Sequence, residues 1–149
     1  VGQSFCLPAT FDTLSWYGKG PWETYADRKD AALIGLYTSS VAEQHVPFAV
    51  PCECGGHEDT RFAALSDGTH TVQIVGSDDF HFSALPYSMA EYRKAAYEEE
   101  LPEQTTGTWL ILDVSHAGLG GDTGWTKNIH PEYRVCKGRY SYTFRFHFA

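Results

Sequence analysis

Three places in this 149-residue chain hold side chains whose types and spacing could do chemistry. Cys52-x-Cys54-x-x-His57 offers two thiols and an imidazole, all good zinc ligands. Structural zinc sites take four ligands, however, and usually present them on Cys-x2-Cys loops. With C-x-C spacing and no second pair nearby, the preferred reading is two thiols in a glycine-flanked turn. The carboxylates Glu23, Asp27, Glu53 and Asp113 could furnish an acid–base pair. A carboxyl pair that cleaves a glycosidic bond with retention must stand about 5–5.5 Å apart, a separation that a sequence does not display. The simpler reading of these four is structural, as turn acceptors or as partners for Arg28 and Arg61.

The third place is the stretch 116–125, His116-Ala117-Gly118-Leu119-Gly120-Gly121-Asp122-Thr123-Gly124-Trp125, half of it Gly or Ala. It lacks the Gly-Lys-Ser/Thr of a phosphate loop and leads to Asp122 and Trp125 rather than into a helix, and no G-x-S-x-G elbow occurs anywhere. What it offers is a permissive backbone carrying one large aromatic. An indole can stack on the C–H face of a sugar ring while Asp122 or His116 hydrogen-bonds its hydroxyls. From the residues alone, that reading and a Trp folded back to plug the end of the fold stand level.

Elements that would position these groups are mostly strands. Tyr140, Tyr142, Phe144, Phe146 and Phe148 alternate with polar residues over 140–148, which predicts a strand with an inward aromatic face. Residues 69–75 predict a strand, 76–79 (Gly-Ser-Asp-Asp) a turn, and Phe80, Phe82 and Ala84 the inward face of a third strand that turns His81 and Ser83 the other way. Residues 108–115, nearly all apolar, suit a strand covered on both faces. Shorter candidates are 11–17, 48–50, 60–65 and 134–135. One helix is expected from Met89 to about Ala95, within 88–96, capped by Ser88 with Glu91 three residues on. Residues 97–101 are expected to leave it as a strand ended by Pro102, and 27–35 to hold a short turn. Together these predict an all-β fold, an antiparallel β-sandwich with one short helix.

Composition sets outer limits. Hydrophobic residues at 42% and aromatics at 15% exclude a disordered tail and a coiled coil. A net charge of −8 argues against nucleic-acid partners, and no apolar run approaches the ~20 residues of a membrane span. The length suits one domain. The opening Val1-Gly2-Gln3-Ser4 has no signal-peptide character and reads as a cut inside a longer polypeptide. Cys6, Cys52, Cys54 and Cys136 make no dense framework, so free thiols in a reducing compartment are expected.

Several motifs then combine. Trp16-Tyr17-Gly18-Lys19-Gly20-Pro21-Trp22-Glu23-Thr24-Tyr25-Ala26-Asp27-Arg28 resembles the W-x-G-x-G-P-x-E-x-Y-x-D-R signature of bacterial β-galactosidases of glycoside hydrolase family 2, in their last, small-chain domain. Pro47, Pro51, Glu53, Gly55 and Arg61 match a P-x-x-x-P-x-E-x-G stretch and the arginine after it. Trp109-Leu110-x-Leu112-Asp113-x-x-His116 and Gly118-x-Gly120-Gly121-Asp122-x-x-Trp125 resemble the family's W-L-x-I-D-x-x-H-M-G-x-G-G-D-D-S-W run. His130-Pro131-Glu132-Tyr133 and Gly138-Arg139-Tyr140-x-Tyr142 resemble its closing turns.

The resemblance implies that residues 1–149 are the C-terminal portion of the small chain, also called domain 5, and part of a supersandwich related to galactose mutarotase. The parent activity it implies is retaining hydrolysis of terminal β-D-galactosides of the lactose type. The two catalytic glutamates and the Mg2+ and Na+ sites would lie on a separate barrel domain, leaving this chain with no cofactor and no catalytic residue of its own. By position Trp125 would line the aglycone side of the sugar site, with Asp122 and His116 fixing its loop. Ala117 stands where the pattern has Met, and Thr123-Gly124 where it has Asp-Ser. Expected partners are the β-galactoside, the barrel domain and further copies in a homo-oligomer, with neither nucleic acid nor membrane. A cytoplasmic setting is favoured over a periplasmic one. The alternative is a non-catalytic carbohydrate-binding or mutarotase-like module.

Overall fold

The computed structural model describes residues 1–121 and 128–149. Its strands are β1 (Gly2–Leu7), β2 (Thr13–Gly20), β3 (Leu33–Ser40), β4 (Gly56–Ser66), β5 (Thr71–Leu85), β6 (Thr108–Asp113) and β7 (Phe144–Phe148), and one α-helix, α1, spans Met89–Lys94. Every strand pairing is antiparallel, in the order β1-β6-β5-β4-β2-β3, with β7 also on β5. This is the expected all-β class, consistent with a sandwich.

β5 organises the sheet. β4 runs along one edge of it, so β7 and β6 must share the other: β7 pairs Val72–Gly76 and β6 pairs His81–Leu85. The sequence reading put a chain reversal at 76–79, but β5 runs straight through. The register steps from Phe62↔Val75 to Thr60↔Phe80, so residues 76–79 stand against Arg61 alone as a wide bulge. Turn-type letters form a bulge because the chain ahead of β7 satisfies their backbone. Ser77 N–H donates to Thr143 C=O at 2.9 Å, and the Tyr142 hydroxyl donates to Asp78 C=O. The bulge marks where β5 exchanges β7 for β6 as its neighbour.

Alternation then places the core. Leu14 and Trp16 of β2, Ala63 and Leu65 of β4, Val72, Ile74, Phe80 and Phe82 of β5, and Leu110 and Leu112 of β6 form one buried cluster flanked by Phe5, Tyr37, Phe144 and Phe146. The aromatic alternation foreseen at the C-terminus is real, but the strand is shorter, and its last aromatic, Phe148, is 81% exposed.

α1 follows its local signals. Ser88 Oγ accepts from Glu91 N–H at 3.1 Å and Glu91 Oε2 accepts from Ser88 N–H at 2.6 Å, a complete capping box. The helix packs Tyr92 into a second cluster with Cys54, Leu85, Ala95 and Leu101. Beyond it, 97–101 forms no strand. Glu98–Glu100 is a 3-10 turn, and the Glu100 carboxylate reaches back to Ala96 N–H at 2.8 Å. Residues 48–50 and 134–135 are not strands either, and 27–35 holds the expected short turn, closed by Ala32 N–H donating to Lys29 C=O at 3.1 Å, before β3 begins at Leu33. Among the described residues no helix is long and apolar enough to cross a membrane.

Candidate functional site

The segment that follows β2 builds the floor of the site. Trp16 is buried and donates its Nε1–H to Lys19 C=O at 3.0 Å, and after the cis Gly20–Pro21 peptide the chain crosses towards β4. Glu23 is a two-sided clamp, accepting from Arg28 Nη2 at 2.5 Å and from Gly55 N–H at 2.9 Å. Gly55 is required there: its φ is +66°, and a Cβ would lie 2.5 Å from Gln44 C=O. Thr24 N–H donates to Gly56 C=O at 2.6 Å, which seats the wholly buried Tyr25 beneath the site.

Asp27 holds the glycine-rich loop that leaves β6. Its two carboxylate oxygens accept from Leu119 N–H at 2.9 Å and Gly120 N–H at 2.6 Å, while Gly118 N–H donates to Tyr133 C=O at 2.8 Å. Glu23 and Asp27 are thus the structural acceptors that the sequence suggested. Asp113 is likewise buried, at the end of β6 opposite Gly2 of β1.

Above Tyr25 lie two imidazoles and two carboxylates. His116 faces an acceptor at each ring nitrogen: Ala117 C=O at 2.7 Å from Nδ1 and Glu53 Oε1 at 2.8 Å from Nε2. Burial by itself would depress the His116 pKa, but the hydrogen bond and charge of Glu53 outweigh it and raise the value. The same hydrogen bond holds the Glu53 carboxyl below its ordinary range despite burial. His81, on β5, is buried and stacks on His116 with centroids 4.4 Å apart. Its Nδ1–H donates to Glu58 Oε1 at 2.9 Å, while its buried Nε2 has no hydrogen-bond partner among the described residues, and neither has the buried Tyr25 hydroxyl. A Cβ at Gly56 would stand 2.9 Å from that Nε2, so the glycine leaves room for the ring. His81 and His116 line a cavity of about 270 Å³ with Glu58, Asp79, Glu132 and Arg134. Such a set can hydrogen-bond hydroxyl groups or hold a cation, and the donor atoms of Glu53, His81 and His116 all lie within 4.8 Å of one another.

Of the sequence-derived site residues, His116 lies against Glu53, whereas Asp122 and Trp125 lie outside the described residues. The Cys52–Cys54–His57 stretch does not come together as a ligand set. Cys52 is exposed and Cys54 buried beside the Tyr92 hydroxyl. His57 is sealed between Trp16 and Phe82, with centroids 4.2 and 5.2 Å away. Sequence reasoning missed His81, Glu58 and Tyr25 as members of the site, whereas Glu53 is an acceptor as expected, with His116 rather than an arginine as its partner. The nearest signal was the motif Tyr and Glu themselves, because His81 reads only as the polar face of a strand.

Comparison with known proteins identifies the family of the chain. The family model described as β-galactosidase small chain matches residues 1–146. A β-galactosidase of Vibrio cholerae is 38% identical over 142 residues, covering 95% of this chain and 13% of that protein. One of Priestia megaterium is 38% identical over 144 residues, covering 96% and 14%. β-Galactosidase 2 of Enterobacter cloacae is 39% identical over 144 residues, covering 97% and 13%. The chain thus spans about one-seventh of the length of these relatives. Matched from Val1 into its last strand, with the motif carboxylates found holding its loops, the chain belongs to the β-galactosidase small chain family.

Proposed function

We propose that this chain is the C-terminal portion of the small-chain domain of a family 2 β-galactosidase, acting on terminal β-D-galactosides with retention, and that it supplies one wall of the sugar site without supplying the catalytic glutamates. The supporting observation is the double anchoring of the loop after β6. Asp27 binds the Leu119 and Gly120 amides, and Glu53 binds His116, so the backbone that leads into Trp125 starts from a fixed position. A glycine-rich arm that is fixed at its base can present an indole to a sugar bound on a neighbouring barrel domain. Stacking there contributes on the order of 1 kcal/mol and acts on aglycone binding rather than on bond cleavage. The isolated chain is then inactive, and the complete enzyme is a cytoplasmic homo-oligomer.

The Mg2+ and Na+ that the resemblance implies belong to the barrel in this reading. The closest donor cluster among the described residues is two-thirds nitrogen, and both ions prefer oxygen ligands. The test is a double-mutant cycle in the full-length enzyme. Trp125→Ala is expected to weaken acceptor binding and raise KM about 5- to 10-fold with a smaller change in kcat, and Asp27→Ala to do the same by freeing the arm. The double variant should be little worse than the worse single one. Strictly additive effects, or an unchanged KM in Trp125→Ala, would count against the arm. A carbohydrate-binding module is the second reading, favoured by the polar cavity beside His81 and His116. Saturable binding of galactose to the isolated chain would select it.

A further inference from the structure

Glu53, His81 and His116 come from three separate parts of the chain: the approach to β4, the second half of β5, and the loop after β6. Each imidazole has Nδ1 on a fixed acceptor, Glu58 Oε1 at 2.9 Å for His81 and Ala117 C=O at 2.7 Å for His116. A carboxylate or carbonyl on the far nitrogen is how metal-ligating histidines are oriented, since it puts the proton on Nδ1 and turns the Nε2 lone pair to the ion. Nε2 of His81 is the group that needs an explanation, buried and without a hydrogen-bond partner among the described residues, on a ring that brings a donor nitrogen within 4.8 Å of donor atoms of Glu53 and His116. Neighbouring carboxylates supply negative charge, and the family reading leaves His81 with no task.

We propose that Glu53, His81 and His116 bind a divalent transition-metal ion of the zinc type, with a fourth coordination position towards the cavity of about 270 Å³. Two imidazoles and one carboxylate suit Zn2+ and its neighbours rather than Mg2+ or Na+. Tetrahedral ligation brings donor atoms to about 3.4 Å from one another. Binding therefore draws the three together, and His116, carried on a loop, shifts off its stack on the strand-borne His81. The ion takes the place of the proton between His116 Nε2 and Glu53, and that proton passes to solvent. The consequence is a metal tie that fastens the glycine-rich loop to β4 and β5. This inference does not depend on the sugar-site reading.

The test uses the full-length protein, stripped by chelation and then held in saturating Mg2+ so that oxygen-ligand sites are filled, with Co2+ and Zn2+ as probes. Expected are one molar equivalent of Co2+ giving the intense visible bands of a tetrahedral site, displacement by Zn2+, and a zinc absorption edge that fits two imidazoles. His81→Gln and Glu53→Gln should each weaken binding at least tenfold, Glu58→Gln by 10- to 100-fold, and the exposed His70→Gln not at all. Glu53→Gln sits on a partly exposed loop and keeps the experiment decisive if His81→Gln does not fold. No Co2+ band, or a band unchanged in both Glu53→Gln and Glu58→Gln, overturns the proposal.

Discussion

His57 shows how one residue's surroundings become a property of the whole fold. Its ring lies between Trp16 and Phe82, with Gln44 Oε1 accepting from Nε2 at 2.6 Å. Burial drives its pKa down to about 3, against a smaller opposing effect of the Lys19 carbonyl and with a still smaller lowering by nearby His81. The unfolded chain protonates this imidazole near its ordinary value, about 6.5. The stability it contributes is therefore fully present above about pH 6.5 and is lost as the pH falls towards about 3, because only the unfolded state takes up the proton. Between pH 6.5 and 5 the loss is about 1.6 kcal/mol. Urea unfolding of wild type and His57→Gln over that interval should show the wild-type loss of stability exceeding the variant's by that amount. Equal losses would mean that the folded protein accommodates the charge.

At the scale of elements, what could be read in advance is what local chemistry decides. α1 lies where Ser88 and Glu91 put it, since both halves of the capping box are within one turn. Ser88→Ala should cost about 1 kcal/mol in urea unfolding. The loss should appear in the global transition, because Tyr92 ties the helix to Leu85 at the end of β5. A change confined to local fraying would contradict that coupling. β5 could not be read correctly because Gly76-Ser77-Asp78-Asp79 has the letters of a turn. Its partners, Tyr142 and Thr143, arrive from more than sixty residues away. The site was half legible for the same reason. Its motif letters were visible, but the meeting of Glu53 with His116 spans 63 positions and has no periodicity. β3 was lost to a run, 27–35, whose charged start resembles a turn and whose strand begins only at Leu33.

On the whole molecule, the side chains left uncovered carry the next prediction. β1 and β6 diverge from β7 where β5 changes partner, and between them lies an apolar cleft of about 360 Å³ lined by Phe5, Leu7, Val72, Leu110, Phe146 and Phe148. At the opposite end of the sheet, edge strand β3 exposes Leu33 at 73% and Leu36 at 68%. Unpaired edges and apolar patches of this kind favour association. A net charge of −8 opposes it, and that repulsion is screened as salt shortens the Debye length from about 10 Å at 0.1 M towards 3 Å at 1 M. The 149-residue chain should therefore self-associate in sedimentation velocity, more strongly in 0.5 M than in 0.05 M NaCl. Leu36→Lys should shift it towards monomer by charging the edge, and Phe148→Lys by charging the mouth of the cleft. If the cleft is instead covered within a larger enzyme, Phe148→Lys there should lower stability by about 1–3 kcal/mol through the lost burial of one aromatic side chain. A monodisperse monomer at both salt concentrations, together with an unaffected full-length Phe148→Lys enzyme, would show that neither surface has a partner.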